Sequence, residues 1–313
     1  MAVTLDARCG RPWRVIVACT LALAWSSALT ARAEPPAGTY EPILRIAHEE
    51  PAAQVASRVV PAAGAAAAPI DLTQRDGEHP LMPALRFAKE GLDHIDANIS
   101  DYQAILLKRE RIDGVLMDQE VAFVKVRHQP FSVHMFFLAP NKGRECLYAE
   151  GPAGTDGNLL ARDSGFKRRL GVVKLNPTGR FAMDGQKYPI TKLGIRNLAA
   201  ELIEVASNDV QFGECEVTTT QTVIGPKDGE KRPVTLIEVI HPTPRRNFRF
   251  HKAQVFIDNE LRVPIRYAAY MWPQSPGEPL PLEEEYTYLN LQVNNGFTDR
   301  DFSRDNPELF KSE

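Results

Sequence analysis

Few residues in this 313-residue sequence have the types and spacing that catalysis requires. Among the seven histidines, only His128 and His134 lie close together on predicted neighbouring strands, and an acid–base role would need one of them beside a carboxylate in a cleft. The predicted strand neighbours of Cys146 include no base, and the sequence has neither a nucleophile elbow nor a phosphate-binding loop. We therefore expect a protein that is not an enzyme and that has neither catalytic residues nor a cofactor.

The first 33 residues have the pattern of a secretory signal peptide. Three arginines precede an apolar stretch from Val15 to Leu29, and small residues flank the expected cut in Ala31-Arg32-Ala33. We expect cleavage after Ala33 and a periplasmic or secreted mature protein, with a retained membrane anchor as the alternative. No later apolar run approaches the roughly 18 residues of a membrane span, so the mature chain is not expected to be an integral membrane protein.

Cleavage would leave two cysteines, Cys146 and Cys215. An oxidising compartment permits a disulfide between them, which would close a long loop and contribute roughly 4 kcal/mol in the chain-entropy model. Two free buried thiols are the equal alternative, because the sequence does not show whether the side chains meet. Neither cysteine has a second Cys or a His at zinc-ligand spacing, so we expect no metal site.

The charge balance argues against one class of partner. The chain has 37 basic and 40 acidic residues, a net charge of −3, and it is 43% hydrophobic and 25% charged, as in ordinary globular proteins. Cleavage after Ala33 would leave 33 basic and 39 acidic residues, a net charge of −6. Such a balance provides no electrostatic reason to bind nucleic acid or an anionic membrane tightly, so any lipid contact should be apolar. The runs Lys167-Arg168-Arg169 and Glu283-Glu284-Glu285 are typical of solvated surface, although their opposite signs could pair.

The expected mature sequence divides into a linker and a domain. Residues 34–80 are rich in alanine and repeatedly interrupted by proline, which predicts an Ala/Pro-rich disordered linker. Residues 81–313 are periodic and predict a single domain. Its first element is an amphipathic helix from Leu81 to Ile99, and a second helix, announced by Tyr188-Pro189, carries Leu198 and Leu202 on its apolar stripe.

Most of the domain is predicted to be β-strand. Asp113-Gly114 and Asn141-Lys142-Gly143 are the turn signals of two hairpins. About ten antiparallel strands are expected, within residues 102–112, 115–127, 131–138, 144–150, 159–162, 172–175, 215–224, 233–240, 253–258, 261–272 and 283–293. Crossovers long enough for parallel pairing are mostly missing, so the expected fold class is α+β, with a large curved antiparallel sheet, an open half-barrel, wrapped around two principal helices. That arrangement leaves a pocket between the sheet and the helices.

One face of the sheet is expected to be dry. Apolar residues alternate with polar ones along the strands that contain Val133 and Ile265. Aromatic side chains combine apolar area with a polar tip and are well suited to lining an apolar cleft. The residues expected to line it, and so to bind a ligand, are Phe123, Met135, Phe137, Tyr267, Met271 and Tyr288.

Four segments carry a resemblance to known proteins: Gln129–Phe137, Lys187–Ile195, Val255–Ile265 and Tyr286–Phe302. From about residue 82 to 310 the chain resembles an uncharacterised family of secreted bacterial proteins, domain of unknown function 1571. More distantly, it is similar to the LolA-like lipoprotein carriers, in which an open, strongly curved antiparallel half-barrel holds acyl chains and has helices in its concavity. The first resemblance implies no activity, and the second implies this architecture and an apolar ligand.

These observations lead to one hypothesis and one alternative. We expect an exported, non-enzymatic protein that binds an apolar ligand, a lipid or a lipoprotein acyl chain, in the concave face of a curved sheet. At about 25 cal/mol per Å2, burial of one acyl chain would supply several kcal/mol. The alternative is an envelope protein-interaction or sensor module with a filled core. A continuous apolar cavity of several hundred Å3 would favour the hypothesis, and a packed core would favour the alternative.

Overall fold

Twelve strands and two α-helices make up the part of the chain that this computed structural model describes, residues 70–152, 154–225 and 231–311. The helices are α1 (Met82–Asn98) and α2 (Ile195–Asp209). The strands are β1 (Asp101–Ile112), β2 (Val115–Leu116), β3 (Glu120–Arg127), β4 (Ser132–Ala139), β5 (Glu145–Ala149), β6 (Leu159–Arg162), β7 (Val173–Leu175), β8 (Glu216–Ile224), β9 (Arg232–Ile240), β10 (Lys252–Asp258), β11 (Pro264–Tyr270) and β12 (Leu282–Val293). Short 3-10 helices cover Gly165–Leu170, Ile190–Lys192 and Asp299–Phe302.

The predicted signal peptide, residues 1–33, and residues 34–69 of the predicted linker lie outside the described residues. The last part of the linker, residues 70–80, is in contact with the domain. Ile70 and Leu72 pack against a buried cluster that includes Phe87 of α1, and Glu78 forms an ion pair with Arg86 at 2.6 Å.

Strand β1 lies at the centre of one large antiparallel sheet. The strand order is β7-β6-β5-β4-β3-β1-β12-β11-β10-β9-β8, with β2 paired to β1 off this path. One meander, β3 to β7, extends from one side of β1, and a second meander, β8 to β12, returns to the other side. The connection between β7 and β8 contains α2 and links the two edges of the sheet. The large open antiparallel sheet with few helices is therefore confirmed.

Two predicted elements differ in their bounds. The turn at Asp113-Gly114 has the expected positive φ angles of 48° and 81°. The strand after it breaks after Leu116 because the register shifts: Leu116 pairs with Arg111, whereas Glu120 pairs with Lys108, so three residues lie opposite two. This break is one reason for twelve strands instead of about ten. The second helix begins at Ile195 and not near Tyr188, because Gly194, with a φ of 119°, separates the 3-10 turn Ile190–Lys192 from α2.

Both α-helices pack on one face of the sheet, which we call the helix face. Ile95 of α1 and Ile195 of α2 are completely buried in one apolar cluster with Tyr102 of β1. Val133 and Met135, which alternate along β4 as predicted, belong to the same cluster. Within the residues described above, no helix has both the length and the hydrophobicity needed to cross a bilayer.

The start of α2 is held on the sheet by a glycine and a tyrosine. The N–H of Ile195 donates to the hydroxyl oxygen of Tyr102 at 3.0 Å. A Cβ atom at Gly194 would lie 2.9 Å from that same oxygen, and the φ of this residue lies where other residues are strained. Glycine is thus required at this position for α2 to approach β1.

The C-terminal segment covers part of the opposite face, which we call the far face. Phe302 and Leu309 are buried against Leu147 of β5. The carboxylate of Glu145 accepts the N–H of Phe310 at 2.9 Å. The segment that follows β12 therefore completes the core on the far face.

Candidate functional site

A cavity of about 620 Å3 lies between the helix face and α2. Its walls come from β1, β4 to β7, β11, β12, α2 and residues 177–194 of the connection before α2. This volume falls within the range of roughly 300–1,000 Å3 that is typical of ligand sites. The meander on one side of β1 and the returning strands on its other side both contribute to the wall.

One end of the cavity is apolar. Side chains there lie on the helix face because every second residue of a strand points to the same side. The apolar lining includes Leu106, Met135, Phe137, Cys146, Leu159, Ala161, Leu193, Leu198, Leu202 and Tyr288. These side chains offer a hydrocarbon chain an apolar surface, and the charged side chains of Arg144, Arg162, Asp163 and Lys167 line the cavity beside them.

Four of the six residues predicted to line the cleft, Met135, Phe137, Tyr267 and Tyr288, line this cavity. The remaining two, Phe123 and Met271, lie outside its lining. Phe123 pairs with Phe136 across β3 and β4, whereas the neighbouring pair is Val124 with Met135, so Phe123 points to the far face.

Met271 lies beyond the end of β11. The register between β11 and β12 shifts after Ala269, so the alternation that places Tyr267 and Ala269 on the helix face does not extend to Met271. Sequence alternation alone does not reveal such a shift.

The other end of the cavity is polar, and sequence reasoning missed most of it. The Nζ of Lys108 lies 3.3 Å from Glu110 and 2.9 Å from Glu120, and it also bonds to the side-chain oxygen of Gln186. Glu110 in turn accepts the hydroxyl hydrogen of Tyr286 at 2.6 Å. The sequence held a signal for Lys108 and Glu110. They lie two and four residues after the buried Leu106 on β1, so their side chains point to the same face of the sheet.

A second group of charges adjoins the first. The Nζ of Lys187 lies 2.7 Å from Glu283 and 3.0 Å from Glu284, and the hydroxyl of Tyr188 donates to Glu284 at 3.4 Å. Burial raises the pKa of the Glu284 carboxyl above its ordinary value, and the Lys187 ammonium opposes this shift. The Lys167 run could have paired with these glutamates by its opposite charge, but the ion pairs are made by Lys187.

The charged side chains of the polar end are paired with one another. Its four glutamates face Lys108, Lys187 and Arg111, the last at 3.8 Å from Glu283. Burial, reinforced by Glu284 and Glu110, raises the pKa of the Tyr286 hydroxyl far above its ordinary value. The hydroxyl therefore stays neutral and donates a hydrogen bond.

The two histidines considered for catalysis lie elsewhere. The Nε2 of His134 is 2.8 Å from a carboxylate oxygen of Glu145, and both side chains are buried on the far face, where the N–H of Phe310 also bonds to Glu145. The Nδ1 of His128 is 2.7 Å from the carbonyl oxygen of Ile99. The required histidine and carboxylate thus meet, but beneath the C-terminal segment and not in the cavity.

Cys146 and Cys215 are both free thiols. They pack against different buried clusters, Cys146 in the cavity wall and Cys215 beside β8, which explains why the possible disulfide is not formed. Burial raises the pKa of Cys146 to about 12 and that of Cys215 to about 11. In the part of the chain that is described, no three His, Cys, Asp or Glu side chains are grouped so that they could hold a metal ion.

The chain shows distant likeness to solved structures. Lipoprotein LppX of Mycobacterium tuberculosis is 12% identical with a TM-score of 0.35, over 68% of this chain and 98% of that one. A DUF1329 family protein of Desulfovibrio piger is 10% identical with a TM-score of 0.31, over 72% and 98%. A LolA superfamily protein of Nitrosomonas europaea is 12% identical with a TM-score of 0.27, over 70% and 98%. All three TM-scores lie below 0.5, so no property of these proteins is transferred to this chain.

Comparison with curated proteins gave no match. One family, described as "Protein of unknown function (DUF1571)", matches residues 99–309. This match extends from the end of α1 to the C-terminal segment on the far face, and it includes every strand and both ends of the cavity. The match covers well over half of the sequence and agrees with the family that the four sequence segments resemble, so the chain belongs to the DUF1571 family.

Proposed function

We propose that the protein binds an apolar ligand, a lipid or an acyl chain, in the cavity on the helix face of its sheet. The observation that carries this proposal is the continuous cavity of about 620 Å3 with an apolar end. A filled core at this place would have supported an interaction or sensor module instead. In this proposal the sheet is a curved half-barrel, and α2 with the preceding connection covers the ligand.

The apolar end would hold the hydrocarbon part of the ligand. Leu106, Met135 and Phe137 on the sheet face Leu198 and Leu202 on α2 across the cavity. Transfer of apolar surface from water contributes about 25 cal/mol per Å2, so a chain that covers this wall gains several kcal/mol without a polar anchor. Met135, Phe137, Tyr267 and Tyr288 are the predicted ligand-binding residues that this proposal retains.

The polar end would receive the head group. Because the carboxylate oxygens of Glu110, Glu283 and Glu284 line this end and accept hydrogen bonds, the end favours a head group that offers hydrogen-bond donors, such as hydroxyl or amine groups. The hydroxyl of Tyr188 lies at the same place and lines the cavity. The ligand class that fits best is therefore an amphiphile with one hydrocarbon part and a donor-rich head.

We also propose that the protein is exported and is not an enzyme. Export follows from the signal pattern in residues 1–33, with cleavage after Ala33 and a periplasmic or secreted location. An intact-mass measurement on protein recovered from outside the cytoplasm tests this point. A mass that still includes residues 1–33 would contradict it.

The central experiment is native mass spectrometry on protein exported and purified without detergent, followed by organic extraction. A stoichiometric lipid-sized adduct that is lost on extraction is the expected result. A clean mass without adduct, reproduced after incubation with cell-envelope phospholipids, would refute lipid binding. It would leave a protein-interaction or sensor module as the better account.

A matched pair of variants links the adduct to the cavity. Ala161→Trp places a large ring in the cavity wall, and Phe136→Trp enlarges a half-buried side chain on the far face. We expect Ala161→Trp to lower the bound fraction at least about tenfold, since it fills space that the ligand needs, and Phe136→Trp to leave it unchanged. Thermal unfolding of both variants shows whether each remains folded, and equal adducts in the two would contradict binding in this cavity.

A further inference from the structure

Exposed apolar side chains concentrate where the cavity reaches the surface. Val173 and Phe181 line the cavity and are nevertheless 42% and 84% exposed. Phe166 and Leu170, on the 3-10 helix that precedes β7, are 80% and 76% exposed. Of the eight most exposed large apolar side chains in the described ranges, five fall between residues 166 and 188. A cluster of this kind marks a contact surface, whereas scattered exposed apolar residues do not.

The same segment carries a concentrated positive charge. We call residues 165–181 the basic rim. It contains five basic residues and no acidic residue, in a chain whose net charge is −3. The basic residues are Lys167, Arg168, Arg169, Lys174 and Arg180. The net charge of the chain therefore conceals a strongly basic surface at one place.

Two of the arginines have different roles. Arg168 donates to the carbonyl oxygens of Gly143 at 2.9 Å and Lys311 at 2.6 Å, so it fastens the 3-10 helix to the body of the domain. Arg169 instead lies over the ring of Phe166, 5.1 Å from its centre. A cation and an apolar ring thus stand together on the exposed side of this helix.

The lysines of the basic rim remain available to a partner. The side chains of Lys167 and Lys174 are 75% and 54% exposed. Their acidic neighbours, Asp163 and Asp156, are 3.9 Å and 4.0 Å away, and exposed pairs at such distances contribute little free energy. Their charge is therefore not strongly neutralised within the protein.

We propose that the basic rim docks on the surface of an anionic phospholipid bilayer, with the cavity opening toward the lipid. Aromatic and aliphatic side chains beside lysine and arginine are the combination that binds the interface of anionic membranes, because the rings enter the head-group region while the cations contact lipid phosphates. Phe166 and Leu170 supply the apolar part, and Arg169 and Lys174 supply the charge. The docking itself stands on these observations, whereas transfer of a ligand between bilayer and cavity rests on the proposed function.

The test is co-sedimentation of the mature protein with vesicles. One set of vesicles contains phosphatidylcholine alone, and the other contains equimolar phosphatidylcholine and phosphatidylglycerol. We expect binding to the anionic vesicles, at least about tenfold weaker binding to the neutral ones, and a steady loss of binding as salt is added.

Two double variants separate the contributions without altering the cavity lining. Phe166→Ser with Leu170→Ser removes the exposed apolar groups, and Arg169→Glu with Lys174→Glu reverses two charges. Each is expected to weaken binding to anionic vesicles at least about tenfold. Val115→Ser with Val223→Ser, at exposed positions elsewhere, and Lys89→Glu on α1 are the matched controls and should bind as the unaltered protein does.

The outcomes distinguish this proposal from the proposed function. Absence of vesicle binding by the unaltered protein at low salt overturns docking and leaves the basic rim as a surface for a protein partner. If the control variants lose as much vesicle binding as the basic-rim variants do, docking through the basic rim is also overturned. Native mass spectrometry of the Phe166→Ser, Leu170→Ser variant should still show the lipid adduct. If the unaltered protein carries no lipid but sediments with anionic vesicles, docking stands and the proposed function fails.

Discussion

The hydroxyl oxygen of Tyr102 accepts the backbone N–H of Ile195 at 3.0 Å, so a side chain of the central strand caps the first residue of α2. Both residues are completely buried. The first N–H groups of a helix have no partner within the helix, and the residue before α2 is Gly194, which has no side chain to supply one. The tyrosine thus replaces a local cap and fixes one wall of the cavity relative to the sheet.

Replacing Tyr102 by Phe should destabilise the domain. The substitution keeps the ring but leaves the N–H of Ile195 buried without this partner, which costs about 1–3 kcal/mol. Urea denaturation measures the loss. The control is Tyr148→Phe, because that hydroxyl makes only a long bond of 3.4 Å to Glu150, and a loss within about 0.5 kcal/mol is expected. Equal losses in the two variants would show that the cap contributes nothing.

Replacing Phe302 and, as its control, Phe181 tests how much the C-terminal segment contributes to stability. Phe302, within that segment, is 1% exposed, whereas Phe181 is 84% exposed on the basic rim. Replacement of Phe302 by Ala should cost about 3–5 kcal/mol through lost burial and an unfilled cavity, and Phe181→Ala should change stability by less than about 0.5 kcal/mol. Thermal or chemical unfolding compares them. A large loss for Phe181→Ala would mean that this ring is structural.

A buried acid–base pair lies at the end of α2, away from the cavity of the proposed function. The Oδ2 of Asp209 is 3.4 Å from the Nε2 of His241, whose Nδ1 is 3.2 Å from the carbonyl oxygen of Phe250. Burial raises the pKa of Asp209 to about 6 and lowers the pKa of His241. Burial therefore favours the neutral form of both groups, and the Nδ1 of His241 can donate its hydrogen to the carbonyl oxygen of Phe250.

The raised pKa of Asp209 makes the stability of the domain depend on pH. Its pKa rises from 3.8 to about 6 on folding, so between these values the folded state holds more protons than the unfolded state. The stabilisation from the neutral carboxyl is complete below about pH 4 and is lost as the pH rises through 6. Asp209→Asn is neutral at every pH. Its unfolding free energy, relative to the unaltered protein, should therefore increase between pH 4 and pH 7 by on the order of 3 kcal/mol. Urea titrations at several pH values test this, and a constant difference would contradict it.

The reactivity of the two cysteines reports whether the protein is folded and whether a ligand occupies the cavity. The pKa of Cys146 is raised to about 12, so its reactive thiolate is scarce at neutral pH. Iodoacetamide should modify Cys146 in a Cys215→Ser variant much more slowly in buffer than in urea, and a bound ligand should slow it further, since Cys146 lines the cavity. Two thiols should react in the unfolded mature protein without reductant. A count of zero would show that a disulfide forms after all.

Alternation along the strands predicted the architecture, and it identified Met135, Phe137, Tyr267 and Tyr288 on the wall of one cavity. It failed at Phe123 because the pairing of β3 with β4, and not the sequence of β3 alone, decides which alternate side chains point to the helix face. That pairing places Val124 on the helix face. The alternation of β1 also held a signal for Lys108 and Glu110, but the pairing of Lys187, from the connection before α2, with glutamates of β12 nearly a hundred residues later could not be predicted. Pairings of that kind depend on where a long connection crosses the sheet.

The central place of β1 has a consequence for how the domain folds. Tyr102 near the start of β1 is paired with Val293 at the end of β12, 191 positions further along the chain. High contact order slows folding, because the entropy of closing so long a loop is lost before the contacts form. Until β12 has been synthesised, β1 retains an unpaired edge, and the second meander has nothing to join. We expect the arrival of this last strand, rather than the formation of local hairpins, to limit the rate at which the sheet is completed.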